Sequence, residues 1–151
     1  AADGTLPLPA QLVSTLSILD GKLAIGSNTH VSVWRRGRHS NMPWRRTWTV
    51  RAPRPMLRVL WSPDGAYLAA VPLDVAWQRA LTQCDTRVLV WAEDGASMRL
   101  SSRLEHTRLV HSIHWRRPRP HADSALVLVV ISEAVSLTAV SYTHLTLPTI
   151  L

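Results

Sequence analysis

The chain repeats one local grammar. An alternating apolar run, Met56 to Trp61, ends in Trp61-Ser62-Pro63-Asp64-Gly65. A second run returns over Tyr67 to Val71, a third closes on Val88-Leu89-Val90-Trp91, and the pattern resumes over Val110 to Pro118. Short apolar runs that alternate with period two are strands with one buried face. Pro63 presets φ and Gly65 accepts a backbone conformation that other residues resist, so Ser62 to Gly65 is a tight β-turn. A unit of three or four such strands cannot cover its own apolar faces, so repeated units must stack on one another.

The same order can be followed along the rest of the chain. Gln11 to Ile18 is mixed apolar and polar and is followed by the turn signal Asp20-Gly21. Lys22 to Ile25 and His30 to Trp34 read as strands joined through Gly26-Ser27-Asn28, since Gly and Asn tolerate positive φ. Arg35 to Pro43 reads as a basic loop, and Trp44 to Val50 as an outer strand with Trp48 and Val50 on one face. Pro53 and Pro55 interrupt backbone hydrogen bonding, so a second unit starts after them. That unit comprises Met56 to Trp61, Tyr67 to Val71, Arg87 to Trp91 and, past Asp94-Gly95, Met98 to Leu104. A third holds Leu109 to Trp115, a Pro-rich loop from Arg116 to Asp123, Ala125 to Ile131 and Ala134 to Thr138, and is cut short.

Charge carries less information than its size suggests. The formal net charge is +7, yet of 17 basic residues only Lys22 is a lysine, Phe is absent and Asn occurs twice. Arg has GC-rich codons and Lys, Phe and Asn have AT-rich ones, so a GC-rich gene accounts for the skew and the charge is weak support for an anionic partner. Cys84 is the only cysteine, which excludes an internal disulfide and points to a reducing compartment. The longest apolar stretch, Ala125 to Ile131, is far shorter than the roughly 20 residues of a membrane-spanning helix. No secretory leader pattern opens the chain. A soluble, intracellular protein is expected, and Ala1 in place of a start methionine suggests a fragment, with residues 1–10 an irregular lead-in.

Several residues invite a chemical role and have a simpler one. Trp34-Arg35-Arg36-Gly37-Arg38 and Trp44-Arg45-Arg46 set aromatics beside arginines, as single-strand nucleic-acid sites do; the plainer reading packs the Trp between sheets and leaves the Arg in solvent. His106, His111 and His114 could be metal ligands, but His111 and His114 lie an odd number apart on one strand and so point to opposite faces. The ten carboxylates sit mostly in turns such as Asp20, Asp64 and Asp94, where they cap backbone amides. Cys84 has no patterned His partner and no Gly-rich phosphate loop occurs. No catalytic, cofactor or metal site, and no small-molecule substrate, is expected.

The segments Trp61 to Gly65, Val31 to Trp34 and Val88 to Trp91 resemble the WD-repeat family, whose sheets stack radially as blades of a β-propeller. The resemblance covers about residues 11–139 and implies an all-β fold: a partial WD-type propeller of about two and a half blades of four-stranded antiparallel sheets. Trp34, Trp61, Pro63, Asp64, Gly65, Trp91 and Trp115 are its structural residues, with His106 the remnant of the Gly-His signature. The Trp-Asp pair itself is replaced, since Arg35 follows Trp34 and Ala92 follows Trp91. Trp34 to Trp91 spans 57 residues and Trp61 to Trp115 spans 54, against about 40–45 for a WD blade. Removing ten residues, 75–84, brings the intervals to 47 and 44. That insertion reads as a loop on the rim, with a retained intron as the other reading.

A narrower resemblance follows from order. Trp44-Arg45-Arg46-Thr47-Trp48, Trp61 to Gly65, Val88 to Trp91, Leu104 to Val110 and His114-Trp115-Arg116-Arg117 resemble, in succession, the amino-terminal propeller of the DmX-like (rabconnectin) family. That family includes the large subunit of the RAVE complex, which promotes assembly of the vacuolar proton-pumping ATPase (V-ATPase). The resemblance implies a scaffold whose partners are other protein subunits, V-ATPase sectors and RAVE components among them. It implies a cytoplasmic protein that reaches vacuolar or endosomal membranes only indirectly. Arg35, Arg36 and Arg38 in one loop and Arg116, Arg117 and Arg119 in another are the expected partner contacts. The alternatives are a WD-repeat adaptor of another intracellular complex and, less favoured, an RNA- or DNA-binding propeller. Residues 140–151, beginning Val140-Ser141-Tyr142-Thr143-His144, resemble translated sequencing adapter and are expected to be non-native.

Overall fold

The computed structural model describes residues 13–37, 42–52, 54–72, 87–105, 110–116, 126–132 and 137–142. These form strands β1 (Val13–Leu19), β2 (Lys22–Ser27), β3 (His30–Arg36), β4 (Trp44–Arg51), β5 (Met56–Trp61), β6 (Tyr67–Pro72), β7 (Val88–Asp94), β8 (Ser97–Leu104), β9 (Val110–Arg116), β10 (Leu126–Ser132) and β11 (Leu137–Tyr142). Consecutive strands pair antiparallel in three sheets, β1 to β4, β5 to β8 and β9 to β11. The fold is all-β, and its stacked four-stranded sheets are those of a partial propeller.

The sheets are copies of one another down to their irregularities. The ladder between the first two strands of each sheet skips one residue near the start of the first strand, at Ser14, Leu57 and His111. The ladder between third and fourth strands shifts just before the tryptophan, between Val33 and Trp34 and again between Val90 and Trp91. A bulge adds local twist, and its recurrence gives each sheet the same twist, so the faces stay complementary from one unit to the next.

Stacking consumes those faces. Ala24, Val31 and Val33 of the first sheet meet Met56, Val59, Trp61, Leu68, Ala70, Trp91 and Met98 of the second in one core, with Trp48 and Val50 of β4 packed against it. The other face of the second sheet, Ala69, Val71, Val88 and Val90, meets Ile113, Leu126, Leu128 and Val130 of the third. The sheets lie closest at their first strands, β1 against β5 and β5 against β9, and they fan apart toward the outer edge.

Strand β5 has a free edge there, and β1 closes it with side chains. Ser14 Oγ donates to the Met56 carbonyl at 2.6 Å, Thr15 Oγ1 accepts the Val59 N–H at 3.3 Å and Ser17 Oγ accepts the Trp61 N–H at 3.2 Å. The polar half of this mixed strand therefore satisfies backbone groups that a sheet edge would otherwise expose.

Three local expectations change. Gly26 and Ser27 belong to β2, and the turn is Asn28-Thr29. Gly26 is required by proximity: a Cβ there would stand 2.7 Å from Thr15 Cγ2 and 2.8 Å from Met56 Cβ. Arg35 and Arg36 belong to β3, because Arg45 and Trp44 of β4 continue the ladder past Trp34. The last strand runs over Leu137–Tyr142 in place of Ala134–Thr138, since full pairing with β10 sets Tyr142 opposite Leu126; this strand includes residues 140–142. The lead-in 1–10, the insertion 75–84 with Cys84, and residues 143–151 lie outside the described residues.

Candidate functional site

Two regions join the first two sheets, one at each end of the strands. The first is built from local turns. Ser62 N–H bonds the Tyr67 carbonyl at 2.8 Å and Gly65 N–H the Ser62 carbonyl at 2.9 Å. Asp64 Oδ1 accepts the Ser62 hydroxyl at 2.6 Å and the Ala66 N–H at 3.0 Å. Gly65 has φ +71°, a value that strains any residue with a Cβ. The turn holds the Gly65 carbonyl where Lys22, opening β2, donates to it at 3.0 Å. Lys22 Nζ also donates to Glu93 Oε2 at 2.8 Å and stands 5.6 Å from the centre of the Trp61 ring. The Arg35 guanidinium bonds the second oxygen of Glu93. Burial raises the affinity of Glu93 for its proton, but hydrogen bonds from Lys22 and Arg35, with their charges, outweigh it and hold the carboxyl below its ordinary value.

The arginines expected to contact partners fall in different places. Arg35, the residue after the strand-ending Trp34, bridges to the second sheet through Glu93. Arg36 is exposed at the end of β3 and donates its backbone N–H to the Gly21 carbonyl at 2.8 Å. Arg116 is exposed at the end of β9. Arg38, Arg117, Arg119 and His106 lie outside the described residues.

The predicted tryptophans serve packing. Trp34, Trp61 and Trp91 are buried, Trp91 meets Trp48 edge to face at 5.5 Å, and Trp115 donates its indole N–H to the Leu60 carbonyl at 3.1 Å. The Arg46 guanidinium covers the Trp34 ring at 5.8 Å, so Trp34 has no open face on which a base could stack. His114 is exposed beside the Ser112 hydroxyl at 3.2 Å. Among the described residues no group of three His, Cys, Asp or Glu side chains converges as metal ligands would.

The second region is a groove of about 750 Å³ at the opposite end, between the outer halves of the two sheets. Val50 and Ala52 of the first sheet and Leu89, Trp91 and Leu100 of the second form its floor. Arg103 and Arg87 border it from the second sheet, Asn28 and Thr29 from the first. Arg103 lies directly across the ladder from Leu89, whose side chain packs into the core between the first two sheets, so both point toward the first sheet. Arg51 borders the groove as well, but its register opposite His30 sets its side chain on the other face of the sheet. No carboxylate lines the groove among the described residues. Sequence reading missed it because it needs residues from five strands and turns of two units. No local pattern marks it, since β8 itself is a mixed strand of Ser, Arg, Met and Leu.

No family model and no curated protein matches the chain. Solved structures do resemble it. Sqt1 of Saccharomyces cerevisiae superposes with a TM-score of 0.56 at 14% identity, over 87% of this chain and 35% of that one. A chain of the Mitotic Checkpoint Complex superposes with a TM-score of 0.57 at 14% identity, over 87% of this chain and 36% of that one. Both are WD-repeat propellers, and at this identity the likeness speaks to fold. The chain spans about a third of the length of each.

Proposed function

We propose that the chain is a protein-interaction scaffold, contributing surfaces and no chemistry. The observation that carries this is the way stacking uses the molecule: the facing sides of neighbouring sheets are spent on each other, which leaves strand ends, the interblade groove and the outer face of the first sheet as the surfaces for a partner. A narrower reading rests on the succession of segments that resembles the DmX-like family. In it the propeller belongs to a RAVE-type regulator of V-ATPase assembly, working in the cytoplasm and at the surface of vacuolar or endosomal membranes. It binds separated pump sectors differently from the assembled pump, which shifts their association by that difference. The test is affinity purification of the tagged protein from its own cells, probed for the peripheral and membrane sectors of the pump. Recovery of both supports the narrower reading. Recovery of a different, reproducible set of subunits replaces the pump with another assembly and keeps the scaffold.

A further inference from the structure

We infer that the outer face of the first sheet is the docking site for a second copy of this chain, which lays its third sheet there. The inference goes beyond the scaffold reading, since it holds whichever partner the scaffold binds. It starts from register. Leu16 and Ile18 of β1, opposite Ile25 and Leu23, hold the places that Val59 and Trp61 hold in β5, opposite Ala70 and Leu68. Ile113 of β9, opposite Val130, repeats the first of these places. Val59, Trp61 and Ile113 are 1%, 5% and 0% exposed, whereas Leu16 and Ile18 are 62% and 63% exposed. The first strand is where sheets meet, β5 against β1 and β2 and β9 against β5 and β6. The position is therefore buried wherever another sheet precedes it, and open in the one sheet where none does among the described residues.

The third sheet carries the other half of that interface. Leu126, Leu128 and Val130 of β10 face the second sheet, so alternation turns Val127 and Val129, both half-buried, to the opposite side. Val129 pairs with His114 as Ala24, buried in the core between the first two sheets, pairs with Ser17. Polar groups match as well. Thr15 and Ser17 accept the Val59 and Trp61 N–H groups, which therefore point away from β6; the Leu16 and Ile18 N–H groups, at the same register, point away from β2. Ser112 and His114 stand on β9 where Thr15 and Ser17 stand on β1, and each carries an acceptor. An unrelated apolar surface would cover Leu16 and Ile18 yet leave those two amides without partners. Each copy has one open face of either kind, so the contact is heterologous and, made twice, closes. Two copies of three sheets fall inside the roughly four to eight blades of closed propellers.

The experiment uses the full 151-residue chain, first unaltered in sedimentation velocity, where a concentration-dependent dimer is expected. Two variants then locate the contact, Ile18→Cys and His114→Cys, each with Cys84→Ser; both sites are exposed, and circular dichroism checks that each variant keeps its strands. Ser17 Oγ lies 3.2 Å from the Trp61 nitrogen, so the equivalent residues of two copies, His114 and Ile18, come within reach of a disulfide. In a glutathione buffer the mixture should form about tenfold more disulfide-linked dimer than either variant alone. A chain carrying both cysteines should give a doubly linked dimer and nothing larger. Efficient dimerisation of Ile18→Cys by itself would overturn the inference in favour of two first sheets face to face. A ladder of longer species from the double variant would overturn closure by two copies. A monomer that forms no mixed disulfide overturns the second copy outright and leaves the scaffold reading to the affinity purification.

Discussion

At the scale of single residues, the clearest consequence concerns Glu93. Its carboxyl is held below its ordinary value of 4.5, so the ion pairs with Lys22 and Arg35 stabilise the fold fully above that pH. The contribution fades as pH falls through the lower folded-state value. Glu93→Gln should cost about 1 kcal/mol near neutrality, a modest figure because all three side chains are 20–25% exposed. The gap between the two proteins should close on acidification below pH 4.5. Urea titrations at neutral and acid pH measure it, and a gap independent of pH would show that the pairing contributes nothing. Gly26→Ala should cost about 1–3 kcal/mol, because its methyl would meet Met56 Cβ, which backbone on a different sheet carries. Thermal melts would expose an error here as an unchanged midpoint. Neither role is legible locally, unlike that of the Ser62–Gly65 turn. Gly65 and Asp64 act within five residues of each other and were readable as a turn, whereas Glu93 is 58 and 71 residues from its partners. Gly26 passes for a turn glycine until Met56 is seen beside it.

At the scale of strands, the sequence was a good guide to existence and a poorer one to edges. Met56–Trp61 runs over the residues its alternation predicts, because Pro55 and Pro63 bracket it. β3 overran its expected end because a neighbouring strand offered further partners, a cause that no local pattern contains. The recurring bulges were equally hidden, since an extra residue in one strand shows only against the residues it is paired with. The hydroxyls of β1 lead to the next prediction. Thr15→Val keeps shape while leaving the Val59 N–H without its acceptor, and Ser17→Ala does the same to the Trp61 N–H. Each should lose about 1–3 kcal/mol. Hydrogen exchange should quicken at those two amides in the matching variant, and unchanged protection at both would show that the β5 edge is satisfied by other means.

At the scale of the whole molecule, the first sheet presents an apolar face equivalent to the one with which the second sheet docks. Trp34, buried under Arg46, corresponds there to Trp91, Leu23 to Leu68, and Leu16 and Ile18 to Val59 and Trp61; of these Leu16 and Ile18 lie open, 62% and 63% exposed. A face shaped for a neighbouring sheet associates with whatever apolar surface is available. The chain on its own should therefore self-associate, and Leu16→Lys with Ile18→Lys should shift it toward monomer in sedimentation velocity at equal concentration. Identical sedimentation of the two proteins would place the contact elsewhere. What the sequence by itself determined is the unit: alternation, the Ser62-Pro63-Asp64-Gly65 turn and the strand-ending tryptophans depend on interactions spanning a few residues, and those are written in local order. Only the tertiary structure decided what happens between units, including the clamp on Glu93, the hydroxyls that close β5 and the groove beneath Arg103. Each joins residues tens of positions apart, and their meeting depends on how far one twisted sheet is rotated against the next.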